Sequence, residues 1–173
     1  MMICAFDAVN VGDALPPIML PPLTRTTLAL YAGGSGDHNP IHIDSDFARA
    51  AGMPDVFAHG MLSMAWLGRL LTQWAPQENL REFSVRFAAM TQIGEQIVCT
   101  GRVAEKLERD GEWLIRVAVT TANHTGEVKL AGEALLALPK DQGPFAHELT
   151  GTTIGISVAD NGSDNGPKAR VRT

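Results

Sequence analysis

The sequence predicts an α+β domain in which one long apolar helix packs against an antiparallel sheet. Three observations carry that prediction. Between Met61 and Trp74 almost every position is apolar, the pattern of a helix covered by its neighbours. Four later segments alternate apolar and polar residues at the strand period of two. Turn-forming residues, Asp110-Gly111 and Asn123 to Gly126, separate the last three of these segments. The chain has 173 residues, with 45% hydrophobic and 19% charged. That is enough apolar material to offset the ordering entropy of one domain, which excludes a disordered chain.

Each element follows in order. Pro16, Pro17, Pro21 and Pro22 bracket Ile18-Met19-Leu20, so the entry segment is extended. Thr24 is an N-cap for a short helix that the pair Gly33-Gly34 is expected to stop. Gly33 to Pro40 then reads as an irregular loop. Asp44 caps a second short helix, Ser45 to Ala51, followed by Gly52. The long helix begins at about Gly60, within the apolar stretch Val56 to Ala75, and Pro76 ends it. His59, Arg69 and Gln73 in that stretch argue for a buried helix over a membrane span. Strands are expected at Arg81 to Met90, Gln96 to Leu107, Glu112 to Ala122 and Glu127 to Leu138, arranged as a meander. Residues 1–140 form the domain and 141–173 a C-terminal extension, in which Thr152 to Val158 reads as one more short strand and Asn161 to Thr173 as a flexible end.

The charge balance excludes some functions. Nineteen acidic and fourteen basic residues leave a net charge of −5, which does not favour nucleic acid. Cys4 and Cys99 form no CxxC, so no disulfide framework is expected and a reducing, cytoplasmic compartment is the default. Met1 to Asn10 has no basic start and carries Asp7, unlike a secretory signal.

The chemistry concentrates in Ser35-Gly36-Asp37-His38-Asn39-Pro40-Ile41-His42-Ile43-Asp44, followed by Ala58-His59-Gly60-Met61-Leu62. Pro40 holds Asn39 extended, and a compact turn then brings Asp37 and His42 together. A carboxylate beside an imidazole is a proton-transfer pair working near neutrality. Gly60 opens the long helix, where backbone N–H groups lack internal acceptors and the dipole is positive. An oxygen gaining negative charge is stabilised there. Carboxylate, imidazole and oxyanion site together suit water addition beside a thioester carbonyl, or its reverse.

The run Tyr31 to His42, YAGGSGDHNPIH, with Ala48 and the later AHGML, closely resembles the MaoC-like, (R)-specific enoyl-thioester hydratase/dehydratase family. The resemblance spans roughly Val11 to Leu138. It implies a hotdog fold, a curved antiparallel sheet wrapped around one central helix at about Gly60 to Trp74. It also implies a homodimer or higher homo-oligomer, its sheets joined edge to edge, with acyl tunnels near the interface. Carried over by position, Asp37 and His42 match the catalytic pair and Gly60 the backbone donor to the thioester oxygen. Asn39 matches the asparagine that shapes the loop. Where some relatives carry a serine one to two turns into the central helix, this sequence has Gly68. The substrate is then a 2-enoyl or (3R)-3-hydroxyacyl thioester of coenzyme A or acyl carrier protein, with no cofactor, no metal, no nucleic acid and no membrane.

Plainer readings stand beside these. His38, His42 and Asp44 would share a helical face, but Pro40 forbids that helix, which argues against a metal site. His38 is expected to face solvent or to tune the loop. His59 is expected to be hydrogen-bonded within the fold, grouped with Asn39, Met53 and Met61 on the substrate-binding side. Arg81, Arg86 and Arg102 either meet carrier phosphates or face solvent. Gly33 to Gly36 lacks the ending of a phosphate loop. Two rival functions remain: a thioester hydrolase on the same fold, and a non-catalytic subunit of a hetero-oligomeric dehydratase.

Overall fold

Strand-period alternation and one apolar helix produce a five-stranded antiparallel sheet with a helix against it. The computed structural model describes residues 5–141, so Cys4 and the expectations for the C-terminal strand and flexible end lie outside the described residues. Strand β1 (Ile18–Met19) pairs with β3 (Ile97–Arg109), which pairs with β4 (Glu112–Asn123), then β5 (Val128–Ala137) and finally β2 (Leu80–Phe87). The proline-bracketed entry therefore supplies an edge strand, with Ile18 opposite Cys99.

Two hairpins join β3, β4 and β5 as expected. Asp110 and Gly111 both take positive φ, 55° and 80°, the geometry that makes Asp-Gly a tight hairpin turn. At the next turn the Asn123 side-chain oxygen accepts from the Thr125 and Glu127 N–H groups, closing the loop on itself. The expected meander is wrong for β2. It lies at the far edge beside β5, with Phe83 opposite Ala134 and Val85 opposite Gly132. Alternation reveals which residues share a face, but not which strand is the neighbour.

Three α-helices lie between β1 and β2. Helix α1 (Arg25–Ser35) starts at Thr24, whose Oγ1 accepts from the Thr27 N–H at 3.1 Å. It does not stop at Gly33-Gly34. It runs to Ser35 and ends at Gly36, whose φ of 76° is the left-handed cap. Helix α2 (Ser45–Ala50) is capped by Asp44, which accepts from the Asp46 and Phe47 N–H groups. Helix α3 (Gly60–Trp74) contacts β3 and β4.

Leu67, Leu70 and Leu71 of α3 are at most 1% exposed and meet Ile97, Val103, Ile115, Val117 and Leu130 from the sheet. Each such leucine contributes about 1.5–3 kcal/mol. The helix is not covered all round, however. Met61, Ala65, Arg69 and Gln73, four residues apart, form an exposed stripe in the single chain. A second apolar cluster joins Leu28 of α1, Ala48 of α2 and Val56, Ala58 and Leu62 around the start of α3. It anchors the segment bearing the sequence motif against the helix N-terminus. Among the described residues, no helix is long and apolar enough to cross a membrane.

Candidate active site

The motif loop is built by short-range hydrogen bonds between neighbouring residues. After the left-handed Gly36, the Asp37 N–H donates to Ser35 Oγ at 3.2 Å. The Asp37 carboxylate accepts from the Asn39 N–H at 3.3 Å, and the Asn39 side chain from the Ile41 N–H at 3.2 Å. Asn39 is extended, as its position before proline requires, with ψ 119°. Pro40 then opens a single 3-10 turn, Pro40–His42, so the segment is not irregular throughout. Proline suits that first position because its missing N–H has no acceptor there. Asn39 thus serves as a turn cap, and His38 is exposed.

His42 is half-buried, and its Nδ1 lies 2.9 Å from the Phe57 carbonyl. A carbonyl only accepts, so Nδ1 carries the proton and Nε2 keeps its lone pair in the neutral ring. Phe57 also meets the His42 ring edge-on, with centroids 4.9 Å apart. Phe57 is held in turn by bridging to Gln92, while the Ala58 N–H donates to the Thr91 carbonyl. An Arg25–Asp55 ion pair ties α1 to the chain approaching α3.

His59 is 1% exposed. Its Nε2 donates to the Asp37 carbonyl at 3.2 Å, and its ring lies 4.1 Å from that of His42, centroid to centroid, inclined by 32°. Tyr31 of α1 covers it from another side at 4.9 Å. Burial, and then the nearby His42, hold the His59 imidazole below the usual histidine range, although Asp37 opposes them. Asp37, His42 and His59 each place a donor atom within 4.8 Å of the others. One ring nitrogen of each histidine is already used on a backbone carbonyl, and His59 Nδ1 is buried without a partner. The Asp37 carboxylate and His42 Nε2 remain, besides that enclosed nitrogen, and the two can hold a water molecule between them.

Gly60 is the first residue of α3, and its N–H has no acceptor within the helix. It lines a cavity of about 400 Å³ together with Phe57, Ser63, Phe87, Met90 and Leu130. The Phe87 ring lies so close that a Cβ on Gly60 would sit 3.1 Å from it. Met53 and Met61 do not line this cavity. Met53 packs in the second apolar cluster, and Met61 is 56% exposed. Gly68 faces Phe83, and a Cβ there would sit 3.8 Å from that ring, an ordinary contact. Of the strand arginines, Arg81 pairs with Glu112 and Arg102 donates to the Gly12 carbonyl.

Sequence reasoning missed two features here. Ser63, 3% exposed, faces the cavity one turn into α3, where it is one small residue in an apolar run. Lys129 is the other. Its ammonium, 2% exposed, bonds Glu95, Glu127 and the Met90 carbonyl, while its own carbonyl accepts from the Ala88 and Ala89 N–H groups. That network backs the cavity wall from residue 87 to 91. A lysine in a strand otherwise reads as solvent-facing.

Comparison with known proteins agrees with this architecture. The model of the MaoC like domain matches residues 16–127. The chain is 32% identical over 138 residues to the fatty acid synthase subunit beta of Saccharomyces cerevisiae, covering 76% of this chain but only 6% of that protein. It is 29% identical over 119 residues to the (R)-specific enoyl-CoA hydratase of Rhodospirillum rubrum, covering 68% of this chain and 81% of the relative. The structure of R-hydratase PhaJ1 from Pseudomonas aeruginosa superposes with a TM-score of 0.70 at 26% identity, covering 80% of this chain and 88% of that one. The sheet and its central helix are the hotdog arrangement of these neighbours.

Proposed function

The chain belongs to the MaoC-like domain family, and from that premise we propose that it interconverts 2-enoyl and (3R)-3-hydroxyacyl thioesters by adding or removing water. The observation that carries this reading is the pairing of the Asp37 carboxylate with a His42 ring whose Nδ1 is committed to the Phe57 carbonyl. The relative named (R)-specific enoyl-CoA hydratase, and the likeness to R-hydratase PhaJ1, support it.

In the hydration direction, a water sits between Asp37 and His42 Nε2. The pair removes one proton while the water oxygen forms a bond to C3 of the enoyl group. The double-bond electrons move through C2 to the thioester oxygen, whose developing charge the Gly60 N–H stabilises. The proton held by the pair then passes to C2. Water and enoyl thioester become the 3-hydroxyacyl thioester, with every atom and electron accounted for and no cofactor required. The cavity lined by Phe57, Phe87, Met90 and Leu130 receives the acyl chain.

Coenzyme A or acyl carrier protein is the substrate's handle. We assign the protein to the cytoplasm as a homodimer or higher homo-oligomer. Cys99 fits a reducing compartment: burial pushes its thiol up to about 11, which keeps it protonated and inert. Pairing of the exposed β2 edge with a second copy would cover both that edge and the open stripe of α3.

The test is an assay on enoyl-CoA substrates of graded chain length, following loss of enoyl absorbance and release of free thiol in parallel. Hydration without thiol release supports the proposal. Thiol release alone would assign a hydrolase, and no turnover by the purified chain would favour a subunit that needs a partner.

A further inference from the structure

We propose that His59 is a positioning residue for the Asp37–His42 pair, acting as a neutral ring that ties the Asp37 main chain down and holds the His42 imidazole by stacking. The inference rests on the hydratase reading for its kinetic consequences, but not for its geometry. One side chain touches both halves of the pair and precedes the oxyanion donor in sequence. Its Nε2 donates to the Asp37 carbonyl at 3.2 Å. Its face lies 4.1 Å from the His42 ring. It is itself the N-cap residue of α3, immediately before Gly60. Two groups on the motif loop and the start of α3 therefore meet at one residue.

The contact works only while His59 is uncharged. A cation there would face the His42 ring at 4.1 Å and oppose any proton that His42 takes up. Burial acts against such a charge, and the unpartnered Nδ1, enclosed without an acceptor, would be still more costly to protonate. The titratable groups facing His59 are Tyr31 from α1, Asp37 from the motif loop and His42 from the 3-10 turn. Asp37 presents its carbonyl to the ring rather than pairing its carboxylate with it. The carboxylate is left for water. His59 does not touch the reacting atoms. It fixes where the two groups that do touch them point.

Two substitutions separate its functions. His59→Phe keeps an aromatic ring in the stack and removes the N–H. His59→Gln keeps an N–H within reach of the Asp37 carbonyl and removes the ring. Misplacing a proton-transfer group by about 1 Å costs up to about 10²-fold. We therefore expect kcat for enoyl-CoA hydration to fall about 10–10²-fold in His59→Phe, with KM within about twofold of wild type and partial recovery in His59→Gln. A rise in KM with kcat unchanged would make His59 a substrate contact and overturn the proposal. So would wild-type kcat in both variants.

A readout independent of activity is 15N NMR of the histidine rings in the unmodified protein. His59 should stay neutral, protonated on Nε2, at pH values where an ordinary imidazole is already charged. If His59 becomes charged in the ordinary histidine range, or carries its proton on Nδ1, the proposal fails even if either variant is too unstable to assay. A chain that hydrates no enoyl-CoA would sink the hydratase reading, while the NMR result still decides the role of His59.

Discussion

Replacing Gly60 separates the backbone N–H from the space around it. Gly60→Pro removes the N–H, and the local backbone accepts proline. Position 60 opens α3, where proline is favoured, and His59 before it is extended with ψ 135°, as a residue preceding proline must be. Both Gly60→Pro and Gly60→Ala add a Cβ that would sit 3.1 Å from Phe87 Cε1, so the ring has to give by a few tenths of an ångström. Phe87 is 51% exposed at the end of β2 and has room to turn. Alanine in a helix gains about 0.5–1 kcal/mol over glycine, which offsets much of that displacement. Gly60→Ala should therefore melt close to wild type. Its rate reports the steric effect alone. Losing one oxyanion donor costs about 10²–10³-fold, roughly 3–4 kcal/mol of transition-state stabilisation. Enoyl-CoA hydration by Gly60→Pro should be slower than by Gly60→Ala by about that factor, with melting temperatures measured alongside. A folded Gly60→Pro protein as fast as Gly60→Ala would place the oxyanion site elsewhere and refute the helix-terminus argument.

Other substitutions test the pair and its scaffold. Asp37→Asn and His42→Ala should each lower kcat by at least about 10²-fold, and the double variant should lose far less than the product of the two, as steady-state kinetics would show. Gly132→Ala should prevent stable folding in a denaturant titration, because its Cβ would lie 2.0 Å from the Ser84 carbonyl oxygen where β5 passes β2. Lys129→Met should cost about 3 kcal/mol in urea unfolding by stranding the half-buried Glu95 carboxylate. Burial raises the Glu95 carboxyl, but the Lys129 ammonium with Asn123 and the Gln92 N–H outweighs it and leaves it below the usual glutamate range. Glu95 therefore adds stability above its unfolded-state value, lost as the pH falls through the lowered folded value. Unfolding of Glu95→Gln measured from pH 7 to pH 3 should accordingly show a flatter acid limb than wild type.

How much could be read from the sequence depended on how local the cause was. The Asp110-Gly111 hairpin, the Thr24 and Asp44 caps and the extended Asn39 each follow from one or two residues, and each stands where expected. Helix α1 outran Gly33-Gly34 because glycine only permits a stop. The left-handed turn that makes one is at Gly36. Strand β2 was misplaced because partner choice depends on how the whole sheet closes, here through the β5 contact. At the site, Asp37 and His42 were legible because only four residues, one of them a proline, separate them. The stacking of His59 on His42 was not, since sixteen residues, with the whole of α2, intervene. Lys129 was hidden for the same reason: its burial is decided by Glu95, a residue on a distant loop.

The central claim is that this chain adds water to an enoyl thioester on one face. The most direct measurement is to incubate the purified protein with crotonyl-CoA and determine the configuration of the product by chiral chromatography. The account predicts (3R)-3-hydroxybutyryl-CoA, formed at a rate that Asp37→Asn abolishes. A (3S) product, or hydration undiminished in Asp37→Asn, would contradict it.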